Sequence, residues 1–413
     1  MKVNSESLTF EVLATSFFRK IEVPYSKSWA NRILILAAIK SAVVKIQGTP
    51  DSSDVVNLVN SLKKIGLIIE ESDQSLIVKN SFPNCEAGLE VVYLETGDGG
   101  TTNRFILPLL ALGKKKYRLQ ASGHMKSRPM DEILDVLQAH GVQIKKGGPE
   151  DDFWIEVQGP IKIPSGEIFV DCARSTQFAT GLALALADHP ECTIRLDNLS
   201  SSEAYLEMTF DLIKKFRQGV DEFVVPPDFS GLSYPLALAA TLGKVTILNC
   251  HQIDELQADS IFLQILKSMG ATVEFLKEGL TVTKNKNLKA VSLDCSGFPD
   301  LVPTLAYVCA YAEGESVLDG VEVLRHKESD RVEEVIKLLK LFKIPHRLEG
   351  GRHQKLIISG VPEQKTPWVE ITPPADHRMV MVSYLFCRKN SGGKIHNTHH
   401  VKKSFGKFFD ILG

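Results

Sequence analysis

The seven cysteines contain no C-x-x-C pair; they are scattered at Cys85, Cys172, Cys192, Cys250, Cys295, Cys309 and Cys387. An odd, dispersed set argues against a disulfide framework and a thiolate metal site, and for reduced thiols in a cytoplasmic protein. The chain also lacks an excess of either charge. Its 48 Lys and Arg stand against 50 Asp and Glu, a formal net charge of −2, so no overall field would draw it to nucleic acid or an anionic membrane. Any basic site must be local. No window reaches the roughly 18 uncharged apolar residues of a membrane span, and the opening MKVNSESLTFEVLA has no basic region followed by an apolar one, so neither insertion nor secretion is indicated. What is present is the balance of a globular protein, 44% hydrophobic and 24% charged, in 413 residues that could form two or three domains with proper cores.

Two kinds of helix recur along the chain. The first is amphipathic and ends in glycine before a β-rich run, as in VVNLVNSLKKIGLIIEE, MDEILDVLQAHGVQIKK and IFLQILKSMGATVEFLKEG. Ile133, Val136 and Leu137 follow the i, i+3, i+4 spacing, and Gly66, Gly141 and Gly270 stand where a left-handed cap is wanted. VEEVIKLLKLFKIPHRLEGG is a fourth copy with Lys343 in the glycine position. The second kind is apolar nearly all round and rich in small residues, so it belongs in an interior. Six stretches fit: SWANRILILAAIKSA, TNRFILPLLALGKK, STQFATGLALALADH, LSYPLALAATLGK, DLVPTLAYVCAYAEG and DHRMVMVSYLFCRKN. With short β-rich segments between them, such as TILNC, DFWIEVQG and KLIISG, they suggest six related α+β units.

A helix N-terminus offers unpaired N–H groups and roughly half a positive charge, so it favours anions. The polar residues at the six buried starts are therefore the first candidates for chemistry. The first start carries Ser26, Lys27, Ser28 and Arg32, and is read either as a capped helix with exposed cations or as an anion seat. TGDGGTTNR, ending in Arg104, lacks the endings of a P-loop and of a dinucleotide fingerprint and stays open between a plain loop and an anion nest. RSTQF gives Ser175, Thr176 and Gln177, donors suited to a phosphate or polyol, or simply a cap. At DFSGLSY a plain cap is favoured, and Asp300 in GFPDLVP is open between cap and base. In PADHRMVM, Arg378 sits against the helix dipole, so an anion should compensate it. Arg128 precedes Pro129, where a helix should begin. HKESDRVEEV packs Lys327, Glu328, Asp330 and Arg331 into a run that a salt-bridged helix start would also explain. The histidines of HNTHH (His396, His399, His400) have no carboxylate or cysteine partner in a metal-binding spacing, so no metal is expected.

Nine stretches, PYSKSWANR, GDGGTTNR, GHMKSRP, STQF, SSEAY, FPD, HKESDR, DHRM and KKSF, follow one another from about residue 24 to about residue 405. In that order and approximate spacing the chain resembles the enolpyruvyl transferases, in their shikimate 3-phosphate branch. The resemblance implies an α+β fold of two similar domains, each made of three repeats of one α/β unit with buried parallel helices, an inside-out α/β barrel. The chain would cross between domains near residues 24 and 227. One domain, 1–24 plus 228–413, is then discontinuous and carries the acid/base residues on the phosphoenolpyruvate side; the inserted one, 25–227, carries most shikimate 3-phosphate contacts. The two would close on their substrates.

The implied reaction moves the enolpyruvyl group of phosphoenolpyruvate to the 5-hydroxyl of shikimate 3-phosphate and releases phosphate. The methylene carbon gains a proton while the hydroxyl loses one, so acid and base groups must coexist with dense positive charge. By resemblance, Asp300 takes the hydroxyl proton, and Glu328 with Lys27 handles the proton at the methylene carbon. Lys27, Gly100, Arg128, Gln177, Arg331, Arg378 and Lys403 resemble the phosphoenolpyruvate set. Ser28, Arg32, Ser175, Thr176, Gln177, Ser202, Tyr205, Asp300 and Lys327 resemble the shikimate 3-phosphate set. No metal or organic cofactor is implied, and a cytoplasmic monomer is. Asp98, Phe105, Glu203 and Val323 depart from the residues usual at their positions. Those departures leave room for a catalytically silent phospho-ligand binder, although a mere binder has no use for both Asp300 and Glu328. A UDP-N-acetylglucosamine enolpyruvyl transferase is the other alternative, disfavoured because its reactive cysteine in a Gly-rich loop is missing.

Overall fold

The computed structural model describes residues 9–86, 91–122, 125–126, 128–148, 153–199 and 203–413, without the side chains of Glu203 and His326. The chain divides into two compact units, one formed by Met1–Pro24 with Pro227–Gly413 and the other by Tyr25–Pro226. Pro227, placed by the sequence at the end of the inserted domain, falls in the discontinuous unit.

The inserted unit holds helices α1 (Lys27–Ile39), α2 (Ser53–Lys64), α3 (Gly100–Leu110), α4 (Asp131–Ala139), α5 (Gln177–Ala185) and α6 (Glu203–Arg217). The discontinuous unit holds α7 (Phe229–Leu242), α8 (Phe262–Ser268), α9 (Val302–Ala310), α10 (Arg331–Leu341), α11 (His377–Lys389) and α12 (Phe408–Leu412). The six stretches read as apolar all round are α1, α3, α5, α7, α9 and α11. Every residue of α3 and α9 is buried, as is all of α7 except its last residue. Small residues let such helices pack closely, as in the Leu-Ala alternation of α5 and α7. The glycine-terminated stretches are α2, α4, α8 and α10, each amphipathic or lying on its unit by one face. In α4, Ile133 and Leu137 are buried and Val136 is half-buried. Gly66, Gly141 and Gly270 have φ of +110°, +86° and +104°, and Lys343 takes the same left-handed turn at +56°.

The strands show the repeat most directly. In each complete repeat two parallel strands flank a buried helix, and the second pairs antiparallel with a following hairpin. Residues 91–97 and 116–121 are such a pair around α3, extended by 154–158 and 143–147. Residues 292–294 and 315–319 do the same around α9, extended by 355–359 and 346–349. The first repeat of each unit borrows a strand from far along the chain: 222–224 completes the sheet of 44–47, 75–78 and 69–72, and 17–21 completes that of 243–247, 279–283 and 272–276. The third repeats are cut short. Residues 167–171 and 193–197 stand as a parallel pair around α5, and 369–371 with 393–396 around α11 take their third strand from 9–12. Among the described residues no helix is long and apolar enough to cross a membrane.

Candidate active site

In the discontinuous unit the chemistry gathers around one guanidinium. Arg331, the first residue of α10, is 2% exposed and touches three carboxylates. It grips Asp376 with two bonds, Nε to Oδ2 at 2.8 Å and Nη2 to Oδ1 at 3.2 Å. Nη1 reaches Asp300 Oδ1 at 2.9 Å and Nη2 reaches Glu328 Oε2 at 3.0 Å. Local structure explains the placement. Asp376 caps α11, accepting from the backbone N–H of Arg378 at 2.9 Å, and Asp330 caps α10, accepting from that of Glu333 at 3.1 Å. Asp300 lies in a 3-10 turn ahead of α9 and makes no capping bond; its carboxylate is turned to the cations. The anion that Arg378 demands is Asp300, with Nη2 3.0 Å from Oδ2.

Other basic side chains close the cluster. Lys327 Nζ is 3.6 Å from Asp300 Oδ1, Lys403 Nζ is 3.3 Å from Glu328 Oε1, and His377 Nδ1 is 3.0 Å from Glu328 Oε2. Burial works to raise the Asp300 carboxyl, but Arg378, Lys327 and Arg331 together hold it well below the usual carboxylate range. Glu328 is held down in the same way, against burial, by His377, Lys403 and Arg331. Both are therefore ionised at neutral pH. Behind them, burial and then the Asp300 charge push the Asp259 carboxyl up to about 7. Glu328, Asp376 and His377 offer ligand atoms within 4.8 Å of one another. The set does not fit a metal, because Arg331 already holds both Asp376 oxygens and one of Glu328, and a dication there would face its charge and that of Lys403.

In the inserted unit the first start is both capped and inward-facing. Ser26 accepts from the Trp29 N–H, while Lys27 pairs with Asp54 at 3.0 Å and Arg32 is 2% exposed, so the exposed-cation reading fails. Arg32 donates to Thr209 Oγ1 at 2.9 Å and to the carbonyls of Ser28 and Tyr205 at 2.8 and 3.2 Å. Its guanidinium carbon lies 5.3 Å from the ring of Phe105 and 5.7 Å from that of Tyr205, which gives Phe105 a role in this chain. Burial lowers Arg32 to about 10. Trp29 packs inside with Lys215 of α6 over its ring at 5.5 Å. Arg128 lies against Gly100: a Cβ on that glycine would stand 2.5 Å from Nη1. The helix expected at Pro129 begins two residues later, at Asp131. Thr176 is buried at the N-cap position of α5 without a capping bond, and the Gln177 N–H goes to Ser175 Oγ at 3.3 Å instead. Ser202 lies outside the described residues. His396 rests on Glu370, and the rings of His399 and His400 lie tilted at 40° with centroids 4.0 Å apart.

The structure thus brings Asp300, Lys327, Glu328, Arg331, Arg378 and Lys403 together in one unit. Lys27, Ser28, Arg32, Gly100, Arg128, Ser175, Thr176, Gln177 and Tyr205 belong to the other. Four further groups were not among the expected site residues: Asp54, Asp376, His377 and Arg104. Asp376 and His377 stand in the DHRM stretch and Arg104 in GDGGTTNR, so their signal was present; Asp54, in DSSDVV, reads as an ordinary helix start.

A cluster of buried and half-buried carboxylates threaded on guanidinium groups, carried by repeated units of buried helices, defines a class. The profile of the EPSP synthase (3-phosphoshikimate 1-carboxyvinyltransferase) family matches residues 16–222 and 217–412, and the chain belongs to that family. It is 30% identical to the 3-phosphoshikimate 1-carboxyvinyltransferase of Pyrococcus abyssi over 412 residues, 94% of this chain and 93% of that one. To the enzyme of the same name from Thermococcus kodakarensis it is 31% identical over 413 residues, 95% and 96% of the two chains. Among solved structures it shares its fold with EPSP synthase from Acinetobacter baumannii (TM-score 0.78, 23% identity, 98% and 97% covered). The enolpyruvyl transferase NikO from Streptomyces tendae also shares that fold (TM-score 0.73, 15% identity, 98% and 96% covered).

Proposed function

We propose that the protein transfers the enolpyruvyl group of phosphoenolpyruvate to the 5-hydroxyl of shikimate 3-phosphate, releasing phosphate by addition and elimination through a tetrahedral intermediate. The observation that carries the reading is the Arg331 cluster, in which Asp300 and Glu328 are ionised and held by Arg331, Arg378, Lys327, Lys403 and His377. Such an arrangement suits this reaction because the same cations that keep the two carboxylates weak bases are those an anionic substrate would neutralise. When a phosphate or carboxylate takes up their charge, the pKa of Asp300 and Glu328 rises, so base strength increases only with substrate present. Asp300 then accepts the hydroxyl proton, and Glu328 and Lys27 manage the proton at the methylene carbon.

Residues of both units are assigned to the substrates. Lys27, Gly100, Arg128, Gln177, Arg331, Arg378 and Lys403 serve phosphoenolpyruvate; Ser28, Arg32, Ser175, Thr176, Gln177, Ser202, Tyr205, Asp300 and Lys327 serve shikimate 3-phosphate. The forked guanidiniums of Arg128 and Arg378 match carboxylate and phosphate oxygens two at a time. The protein works as a cytoplasmic monomer in this reading. The test is phosphate release with phosphoenolpyruvate plus shikimate 3-phosphate, run beside Asp300→Ala. Release by the parent that needs both substrates and collapses in the variant is expected; no release above background by the parent overturns the reading.

A further inference from the structure

We propose that Arg104 is a positioning residue that turns Ser175 and Gln177 into hydrogen-bond donors for the anionic ligand. The inference rests on the reading above, in which those two residues meet the substrates.

Arg104 lies on α3, 2% exposed, with its guanidinium carbon 4.8 Å from the ring centroid of Phe178. Nη1 donates to Ser175 Oγ at 3.2 Å and to Gln177 Oε1 at 2.9 Å, and Nη2 donates to the Pro129 carbonyl at 2.7 Å. A guanidinium can only donate. The Gln177 atom facing it must therefore be the oxygen, and the amide cannot flip without setting N–H against N–H. What Gln177 has left to offer is its pair of Nε2 hydrogens. Ser175 is constrained in the same sense: its Oγ accepts from Arg104 and from the Gln177 backbone N–H at 3.3 Å, so its own proton is what it can give. Two side chains that could each have been donor or acceptor become donors, as a phosphate or carboxylate requires and a cation does not.

The Pro129 contact extends the device, because it pins the residue after Arg128 to the same buried group. All three acceptors are neutral, and of the charges near Arg104 those of Arg128 and Arg174 are positive while that of Glu132 is negative and paired with Arg174, so the cations outnumber the one carboxylate. The local field accordingly favours an incoming anion.

Gln177→Glu is the deciding variant. It keeps an oxygen for Arg104 and replaces the Nε2 donors with a second oxygen. The thermal midpoint should hold or rise, while KM for phosphoenolpyruvate rises roughly 10-fold to 150-fold, the range of one lost charge-assisted bond. A midpoint that falls by several degrees overturns the Arg104–Gln177 contact, whatever the protein catalyses. A midpoint that holds with KM unchanged for both substrates overturns the donor role. Should the parent release no phosphate at all, the functional reading falls while the thermal result still judges the contact. A cycle of Arg104→Lys and Gln177→Ala adds a readout that mere structural damage would not give. If Arg104 acts through Gln177, the lysine change raises KM at least fivefold less in the Gln177→Ala background than in the parent; equal effects in both overturn the proposal.

Discussion

Replacing Gly100 by alanine would show how tightly Arg128 is seated on the start of α3. The added Cβ would lie 2.5 Å from Arg128 Nη1, 3.0 Å from Cζ and 3.1 Å from Nη2, and no other group comes as near. Ordinary contact begins at about 3.4 Å, so the guanidinium must withdraw by roughly 1 Å. The backbone would not object, since Gly100 is not among the positive-φ glycines and is the first residue of its helix. Alanine in a helix is better than glycine by up to about 1 kcal/mol, so the fold should hold or gain. The loss falls on the fork that Arg128 presents to phosphoenolpyruvate. One charge-assisted bond is worth about 1.5–3 kcal/mol, which is roughly a 10-fold to 150-fold rise in KM for phosphoenolpyruvate. Phosphate release at saturating shikimate 3-phosphate, beside calorimetric unfolding, measures both quantities. A KM within twofold of the parent would refute the seating of Arg128, and a loss of thermal stability would refute the claim that the damage is confined to it.

Two other perturbations test the interior. Asp259 is raised to about 7, above its ordinary 3.8, so the unfolded chain gives up that proton first as pH rises. Its contribution to stability therefore declines between about pH 4 and pH 7, by at most about 1.4 kcal/mol per unit, and then levels off. In Asp259→Asn that decline should flatten in urea titrations from pH 4 to pH 8; an unchanged slope would count against a protonated Asp259. Lys343 holds the left-handed turn that glycine takes after α2, α4 and α8, so Lys343→Gly should raise unfolding free energy by up to about 1 kcal/mol. Denaturant midpoints decide it, and a destabilised variant would mean that the lysine side chain contributes more than the turn costs.

Much of the fold was legible because burial writes itself into composition. Runs such as LALAA and VPTLAYVCA have no polar face, so they could only be interior helices, and the glycine endings marked the amphipathic partners well enough to reveal Lys343 as a substitute. Helix α6 was not singled out, although Leu206, Met208, Leu212, Ile213 and Phe216 are buried along it and Gly219 follows at φ +87°. The site was legible in outline for a different reason: Arg378 at the positive end of a helix was an electrostatic anomaly that required an anion. Which anion it was depends on packing between α9 and α11, across 78 residues of chain, and no local pattern encodes that. Arg104 shows the same limit. Its motif was visible, but the direction of its side chain, inward to Ser175 and Gln177, is decided by neighbours from another repeat.

The borrowed strands have a consequence for synthesis. The inserted unit finds every strand within its own 202 residues, so it can fold as soon as residue 226 has emerged. The discontinuous unit cannot. Its segment Phe17–Ile21, with Phe17 destined for full burial, must wait for 243–247 to appear, and 9–12 must wait for 393–396. At roughly 5–20 residues per second the first of these waits lasts on the order of 10–45 s. Through that interval an unpaired, aromatic strand precedes a folded neighbour, which leaves residues 9–21 open to wrong pairing or capture by a chaperone while the chain is being made.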